Sequence, residues 1–83
     1  DAAFLNDCLE QFSINKLENN SKNILEIGFG DGSNTLNIAK FYNTYQVLGC
    51  ETFLSGVIKL VKNSLKNQIN NIRIFSDDIN LLF

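Results

Sequence analysis

The residues from Ile24 to Gly32 have the types and spacing of a ligand-binding loop. A short apolar run, typical of a buried parallel strand, ends in glycines at positions 28, 30 and 32. Glycine allows the backbone to turn tightly and to approach a ligand without a Cβ atom in the way. A helical pattern follows at once, so the free amide groups at the start of that helix would face the same place. Strand, glycine loop and helix in this order predict a site for a nucleotide-type cofactor.

The glycine spacing and one acid separate the cofactor classes. Dinucleotide enzymes favour G-x-G-x-x-G, whose third glycine permits close packing of helix on strand; here Ser33 stands at that third position. Glu26 places a carboxylate at the end of the strand, where a charge is costly without a partner. A carboxylate suits the ammonium group of S-adenosylmethionine and suits a pyrophosphate badly. The pattern therefore favours S-adenosylmethionine, with a dinucleotide site, or an ordinary glycine turn with Glu26 paired to a lysine, as alternatives.

Two further acids follow the next two predicted strands. The carboxyl ends of parallel strands meet at one edge of the sheet, where open α/β sheets bind their ligands. Glu51 lies nineteen residues after Gly32, near the interval at which an acid accepts hydrogen bonds from ribose hydroxyls. Its alternative role is that of a solvated acid favoured by a helix dipole. Asp78 is expected to accept from the adenine amino group, with Asp77 as the alternative.

Helical and strand patterns alternate along the chain. Apolar residues at helical spacing predict helices over residues 2–12, about 33–43 and about 53–67, and apolar runs predict strands at about 23–28, 45–51 and 72–76. Asp31 or Ser33 is expected to cap the second helix, and Thr52 the third. Strands that alternate with helices pair in parallel. The predicted fold is α/β, a partial doubly wound, Rossmann-like parallel sheet with strand order 3-2-1 and helices on both faces.

These motifs carry a resemblance to a known family. The segment Leu25-Glu26-Ile27-Gly28-Phe29-Gly30-x-Gly32 resembles the first motif of the bacterial tRNA (guanine-N7)-methyltransferases, which are class I enzymes dependent on S-adenosylmethionine. The second-strand end Leu48–Glu51 with Ser55–Val57, and the segment Asn71–Ile74 with Asp77 and Asp78, are similar to later motifs of that family. The resemblance implies an S-adenosylmethionine site and identifies no catalytic residue. The cofactor-binding residues that it implies are Glu26, Gly28, Phe29, Gly30, Glu51 and Asp78.

The length places a limit on what this chain would do alone. A complete domain of this class needs roughly 150 residues or more, so the 83 residues are expected to form the N-terminal part of a larger protein. The resemblance implies tRNA as the partner, bound through basic and proline-containing motifs that lie downstream in that family. The chain alone is therefore expected to be inactive. The alternative of a different class is a non-catalytic remnant that acts as an interaction module.

Composition excludes several classes of protein. Seven basic and nine acidic residues give a net charge of −2 without a basic run, so the sequence shows no RNA-binding patch. Cys8 and Cys50 lack metal-ligand spacing and the chain has no histidine, so both are predicted to be buried thiols and no metal site is expected. The absence of a long apolar segment predicts a cytoplasmic protein without membrane contact. The apolar first strand would leave an unpaired sheet edge, which favours self-association.

Overall fold

Three parallel strands form a single open sheet in a computed structural model that describes residues 10–17 and 22–76. The strands are β1 (Asn23–Ile27), β2 (Gln46–Cys50) and β3 (Ile72–Phe75), and the helices are α1 (Ser33–Phe41) and α2 (Leu54–Lys66). The strand order β1-β2-β3 confirms the predicted order 3-2-1. Asp78 and most of the predicted helix over residues 2–12 lie outside the described residues.

The observed elements are one or two residues shorter than the predicted ones. β1 ends at Ile27 because Gly28 turns to a positive φ of 70°, which no strand residue adopts. α1 ends at Phe41 rather than near residue 43, since Tyr42 already leaves the helical conformation at φ −101° and ψ 59°. The other boundaries differ by a single residue, within the usual fraying of element ends.

The core lies on one face of the sheet. Alternate residues of each strand point to the same face, and the fully buried Val47, Ile72 and Ile74 all lie on this one. The helices α1 and α2 contact each other and cover it, with Ala39 supplied by α1. A second group of buried residues comes from α2, namely Val57, Leu60 and Val61.

The opposite face of the sheet has exposed apolar side chains at the carboxyl end of the strands. Leu25 is 61% exposed and Ile27 is 77% exposed, and Phe75 of β3 is also exposed. Both α-helices of the described residues lie on the core face, and the prediction of helices on both faces is not met within this part of the chain. β1 has a single neighbouring strand in the described sheet. Self-association through this edge stays a prediction.

A short N-terminal segment joins the far side of β3. Ser13 pairs with Ile74 in an isolated parallel bridge, and the Ile74 N–H donates to the Phe12 carbonyl at 2.6 Å. Both Phe12 and Ser13 are buried. The segment therefore protects the β3 edge of the sheet. No described segment protects the β1 edge in this way.

Neither α-helix within residues 10–17 and 22–76 has the length and apolar composition of a membrane-spanning segment.

Candidate functional site

The three glycines after β1 all adopt left-handed backbone conformations. Their φ angles are 70° at Gly28, 62° at Gly30 and 82° at Gly32, values that L-residues with a side chain rarely adopt. No atom lies within 4 Å of the position that a Cβ would take at Gly28 or Gly30. At Gly32 that position is 2.7 Å from the Cβ of Leu60. The first two glycines thus leave room for a ligand, whereas the third allows close packing against α2.

Hydrogen bonds and one aromatic ring fix this loop to the sheet. The Gly28 N–H donates to the Cys50 carbonyl at 2.7 Å, which continues the pairing of β1 with β2. The Phe29 side chain is buried against Gly49, where a Cβ would lie 2.8 Å from the ring. Phe29 therefore anchors the loop in the core through its side chain, and only its backbone lies in the loop that faces the candidate site.

Glu51 connects the glycine loop to the start of α2. Its Oε1 accepts from the Gly30 N–H at 2.8 Å, and its Oε2 accepts from the Phe53 N–H at 3.1 Å. The Phe53 N–H first, and then the Gly30 N–H, hold the pKa of Glu51 below its ordinary value. A carboxylate has about four lone-pair positions, so further donors such as hydroxyls still have places to bind.

The predicted caps of the two helices are partly corrected. Thr52 is not the N-cap of α2: that position is Phe53, and the Glu51 carboxylate accepts its N–H instead. The N-cap of α1 is Gly32, and Asp31 accepts from the Ser33 N–H at 3.0 Å. That bond is the main reason that the pKa of Asp31 is lowered. Of the two residues expected to cap α1, Asp31 therefore supplies the bond.

Glu26 binds the first turn of α1. Asn34 Nδ2 donates to Oε2 at 2.8 Å, and the buried hydroxyl of Thr35 donates to Oε1. These partners replace the lysine of the alternative interpretation. The carboxylate holds the helix that follows the glycine loop in place, and further lone pairs stay available for a ligand.

The contact between Thr35 and Glu26 leads to a stability prediction. The variant Thr35→Val keeps the side-chain shape but removes the donor, which leaves one oxygen of a part-buried carboxylate without its partner. We expect the free energy of unfolding to fall by about 1–3 kcal/mol. Urea denaturation of the full-length protein would measure it as a lower midpoint at an unchanged slope. The matched control is Thr44→Val in an exposed turn, for which we expect a change within about 0.5 kcal/mol; equal effects of the two substitutions would contradict the assignment.

Two pockets open at the carboxyl edge of the sheet, and Glu51 lines both. The first, of about 240 Å³, lies across the ends of the three strands, and the second, of about 210 Å³, lies between the glycine loop and α2. The first is lined by Ile27, Gly28, Cys50, Glu51, Thr52, Phe75 and Ser76. The second is lined by Gly30, Asp31, Glu51, Phe53, Ser55, Gly56 and Lys59.

The sequence-predicted site residues are thus only partly brought together. Gly28, Gly30 and Glu51 line one or both of the two pockets, whereas Glu26 lines neither and binds the first turn of α1. Asp78 lies outside the described residues. Cys50, predicted to be a buried thiol, is part-exposed at the first pocket. Sequence reasoning missed Thr52 and Ser76 as lining residues, because a single hydroxyl in a loop produces no pattern.

The helix α2 has a positively charged face. Lys59, Lys62 and Lys66 are all exposed and follow helical spacing, so they lie on one face. The helix contains no acidic residue. Lys59 lines the second pocket, and its charge helps to lower the pKa of Asp31.

An open parallel sheet with a glycine loop and an acid at its carboxyl edge defines a partial fold of the Rossmann-like class. Residues 20–83 match the model of a family described as "Putative methyltransferase". That match spans well over half of the sequence, and the chain belongs to this methyltransferase family.

The chain is also similar in sequence to several curated methyltransferases. The chain is 36% identical over 77 residues to a tRNA (guanine-N(7)-)-methyltransferase of Neorickettsia sennetsu, covering 89% of this chain and 36% of the relative. It is 40% identical over 75 residues to the enzyme of the same name from Wolbachia pipientis wMel, covering 80% and 30%. A bifunctional methyltransferase of Rickettsia prowazekii is 33% identical over 72 residues, covering 86% and 14%. The chain thus spans little more than a third, or less, of the length of these relatives.

Proposed function

We propose that this chain is the cofactor-binding part of an S-adenosylmethionine-dependent tRNA (guanine-N7)-methyltransferase. The observation that carries the proposal is the meeting of Gly28, Gly30 and Glu51 at the carboxyl edge, in a chain that belongs to a methyltransferase family. Two relatives that match 80–89% of this chain are named for that reaction.

The residues present suit the proposed cofactor. Open space beside Gly28 and Gly30 allows a ligand to contact the loop backbone. Glu51 offers lone pairs to ribose hydroxyls from a position fixed by the N–H groups of Gly30 and Phe53. Glu26, at the end of β1, would attract the ammonium group of the methionine part. We further propose that Asp78 accepts from the adenine amino group.

The role of these residues would be to bind and orient rather than to react. S-Adenosylmethionine supplies, when bound, an electrophilic methyl group on a sulfonium. Alignment of reactants alone lowers a barrier substantially, and a displacement of about 1 Å can cost on the order of a hundredfold in rate. The carboxylates of this chain are accordingly binding groups, and we assign no catalytic residue among the described ones.

The proposed substrate is a guanine of tRNA, by analogy with the named relatives. The exposed lysines of α2 would supply positive charge near the candidate cofactor site, where a phosphate backbone could approach. The net charge of −2 indicates that most of the tRNA-binding surface would come from other parts of the full-length protein.

A methylation assay tests the proposed function. The full-length protein would be incubated with tRNA and labelled S-adenosylmethionine, and the nucleosides would be separated by mass spectrometry. We expect N7-methylguanosine from the full-length protein and none above background from the 83-residue chain, to which the proposal assigns the cofactor-binding part only. Failure of the full-length protein to methylate tRNA, or methylation of another atom, would overturn the proposed reaction. Product formed by the 83-residue chain would contradict its assignment as the cofactor-binding part only.

A further inference from the structure

One buried hydroxyl at the first pocket has no use within the described fold. Ser76 follows β3 directly and is 2% exposed, and its Oγ has no hydrogen-bond partner in the part of the chain that the structure describes. The buried hydroxyl of Ser64 provides a contrast, since it donates to the Leu60 carbonyl at 2.7 Å. Buried polar groups without partners are uncommon and destabilise a fold, so Ser76 needs an explanation.

The surroundings of Ser76 point to a ligand. It lines the first pocket beside the apolar side chains of Ile27 and Phe75 and the thiol of Cys50. An apolar pocket with a few polar groups is the usual setting for a planar organic ligand. The pocket also lies next to Glu51, the candidate ribose-binding residue, so the base of a nucleoside bound there would fall within it.

The Ser76 hydroxyl is a donor at this pocket without a partner in the described structure. An ionised Glu51 accepts hydrogen bonds and cannot donate any. The Thr52 hydroxyl, next in the chain to Glu51, helps to lower the pKa of that carboxylate. Within the described residues, Ser76 has no hydrogen bond to lose when its side chain turns about the Cα–Cβ bond to another staggered rotamer. An aromatic base presents ring nitrogens that accept hydrogen bonds, and these would match that donor.

We propose that Ser76 is a cofactor-binding residue, whose hydroxyl turns into the first pocket and donates to a ring nitrogen of the adenine base. The inference rests on the proposed function, since it assumes that the ligand is S-adenosylmethionine. It adds a donor to a site whose other side-chain candidates are carboxylates. Ser76 would thus help to select a base with a ring acceptor at that place.

Calorimetric titration of the full-length protein with S-adenosylhomocysteine tests this inference. We expect Ser76→Ala to weaken binding by about five- to tenfold, as the loss of one neutral hydrogen bond does. The matched control Ser64→Ala, which also removes a buried hydroxyl, should leave the affinity unchanged. Without ligand, we expect Ser64→Ala to lower the melting temperature, and Ser76→Ala to leave it unchanged or raise it, because only Ser64 loses a hydrogen bond.

Three analogues identify the atom that accepts the bond. They are S-adenosylhomocysteines in which carbon replaces N1, N3 or N7 of the ring. One of them should bind wild type and Ser76→Ala with equal affinity, because the acceptor is already missing. Equal affinity of wild type and Ser76→Ala for unmodified S-adenosylhomocysteine would overturn the role of Ser76 while leaving the proposed function intact. Absence of any binding by the wild type would overturn both.

Discussion

Replacement of Gly56 by alanine is expected to destabilise the domain and to abolish cofactor binding. Gly56 lies buried in the first turn of α2, and a Cβ there would overlap the carbonyl oxygen of Gly30. That oxygen belongs to the backbone and has no rotamer to escape into, so the glycine loop or the helix must move. We expect a loss of about 1–3 kcal/mol in the free energy of unfolding, as for other overpacked sites.

The expected loss of stability in Gly56→Ala is opposite in sign to the effect of helix propensity. In an exposed helix, glycine to alanine stabilises by about 0.5–1 kcal/mol. The control Asn63→Ala lies on the exposed face of the same helix and should be neutral or slightly stabilising. Urea denaturation measures the stability, and calorimetry with S-adenosylhomocysteine measures the affinity. A Gly56→Ala protein that is more stable than wild type and binds normally would show that α2 does not fix the loop as described.

The variant Glu51→Gln is expected to weaken S-adenosylhomocysteine binding by at least about tenfold, since charge-assisted hydrogen bonds are the stronger ones. An amide offers one oxygen, whereas the carboxylate now accepts from both Gly30 and Phe53. The substitution therefore loosens the loop as well as removing the charge from the ribose contact. The control Glu10→Gln replaces an exposed glutamate outside the site and should leave the affinity unchanged. Unchanged affinity of Glu51→Gln would remove Glu51 from the site.

The lowered pKa of Glu51 also predicts how the stability of the folded protein depends on pH. Because this pKa is lower in the folded protein, the ionised carboxylate of Glu51 stabilises the fold fully above the ordinary pKa of 4.5. That stabilisation is lost as the pH falls through the lowered pKa. The gap in melting temperature between wild type and Glu51→Gln should thus be constant near neutral pH and should shrink only below about pH 4.5. A gap that closes at a higher pH would contradict the two backbone hydrogen bonds.

Local sequence patterns predicted much of this fold. The strand order follows from alternating apolar runs and helical stripes, and the loop follows from glycines that need positive φ angles. The bridge between Ser13 and Ile74 could not be predicted, because a single pair of distant residues produces no periodicity. The close packing of Gly56 against Gly30 could not be predicted either, because a glycine within a helical pattern does not indicate which residue packs against it.

The candidate site was predictable only in part for the same physical reason. Gly28, Gly30 and Glu51 follow strands, so the topology alone places them at one edge. The hydrogen bonds of Glu26 to α1 depend on how the helix packs, so they could not be predicted from the sequence, and the contact of Glu26 with a ligand stays a prediction. Ser76 becomes informative only once its burial and its lack of a partner in the described structure are known.

Calorimetric titration of the full-length protein with S-adenosylhomocysteine, NAD and FAD in parallel distinguishes a site for S-adenosylmethionine from a dinucleotide site. Because the glycine loop and Glu51 are proposed to hold a nucleoside joined to methionine, we expect saturable binding of S-adenosylhomocysteine and none of the two dinucleotides. Binding of NAD or FAD without binding of S-adenosylhomocysteine would show that the glycine loop holds a dinucleotide and that the chain has no S-adenosylmethionine site.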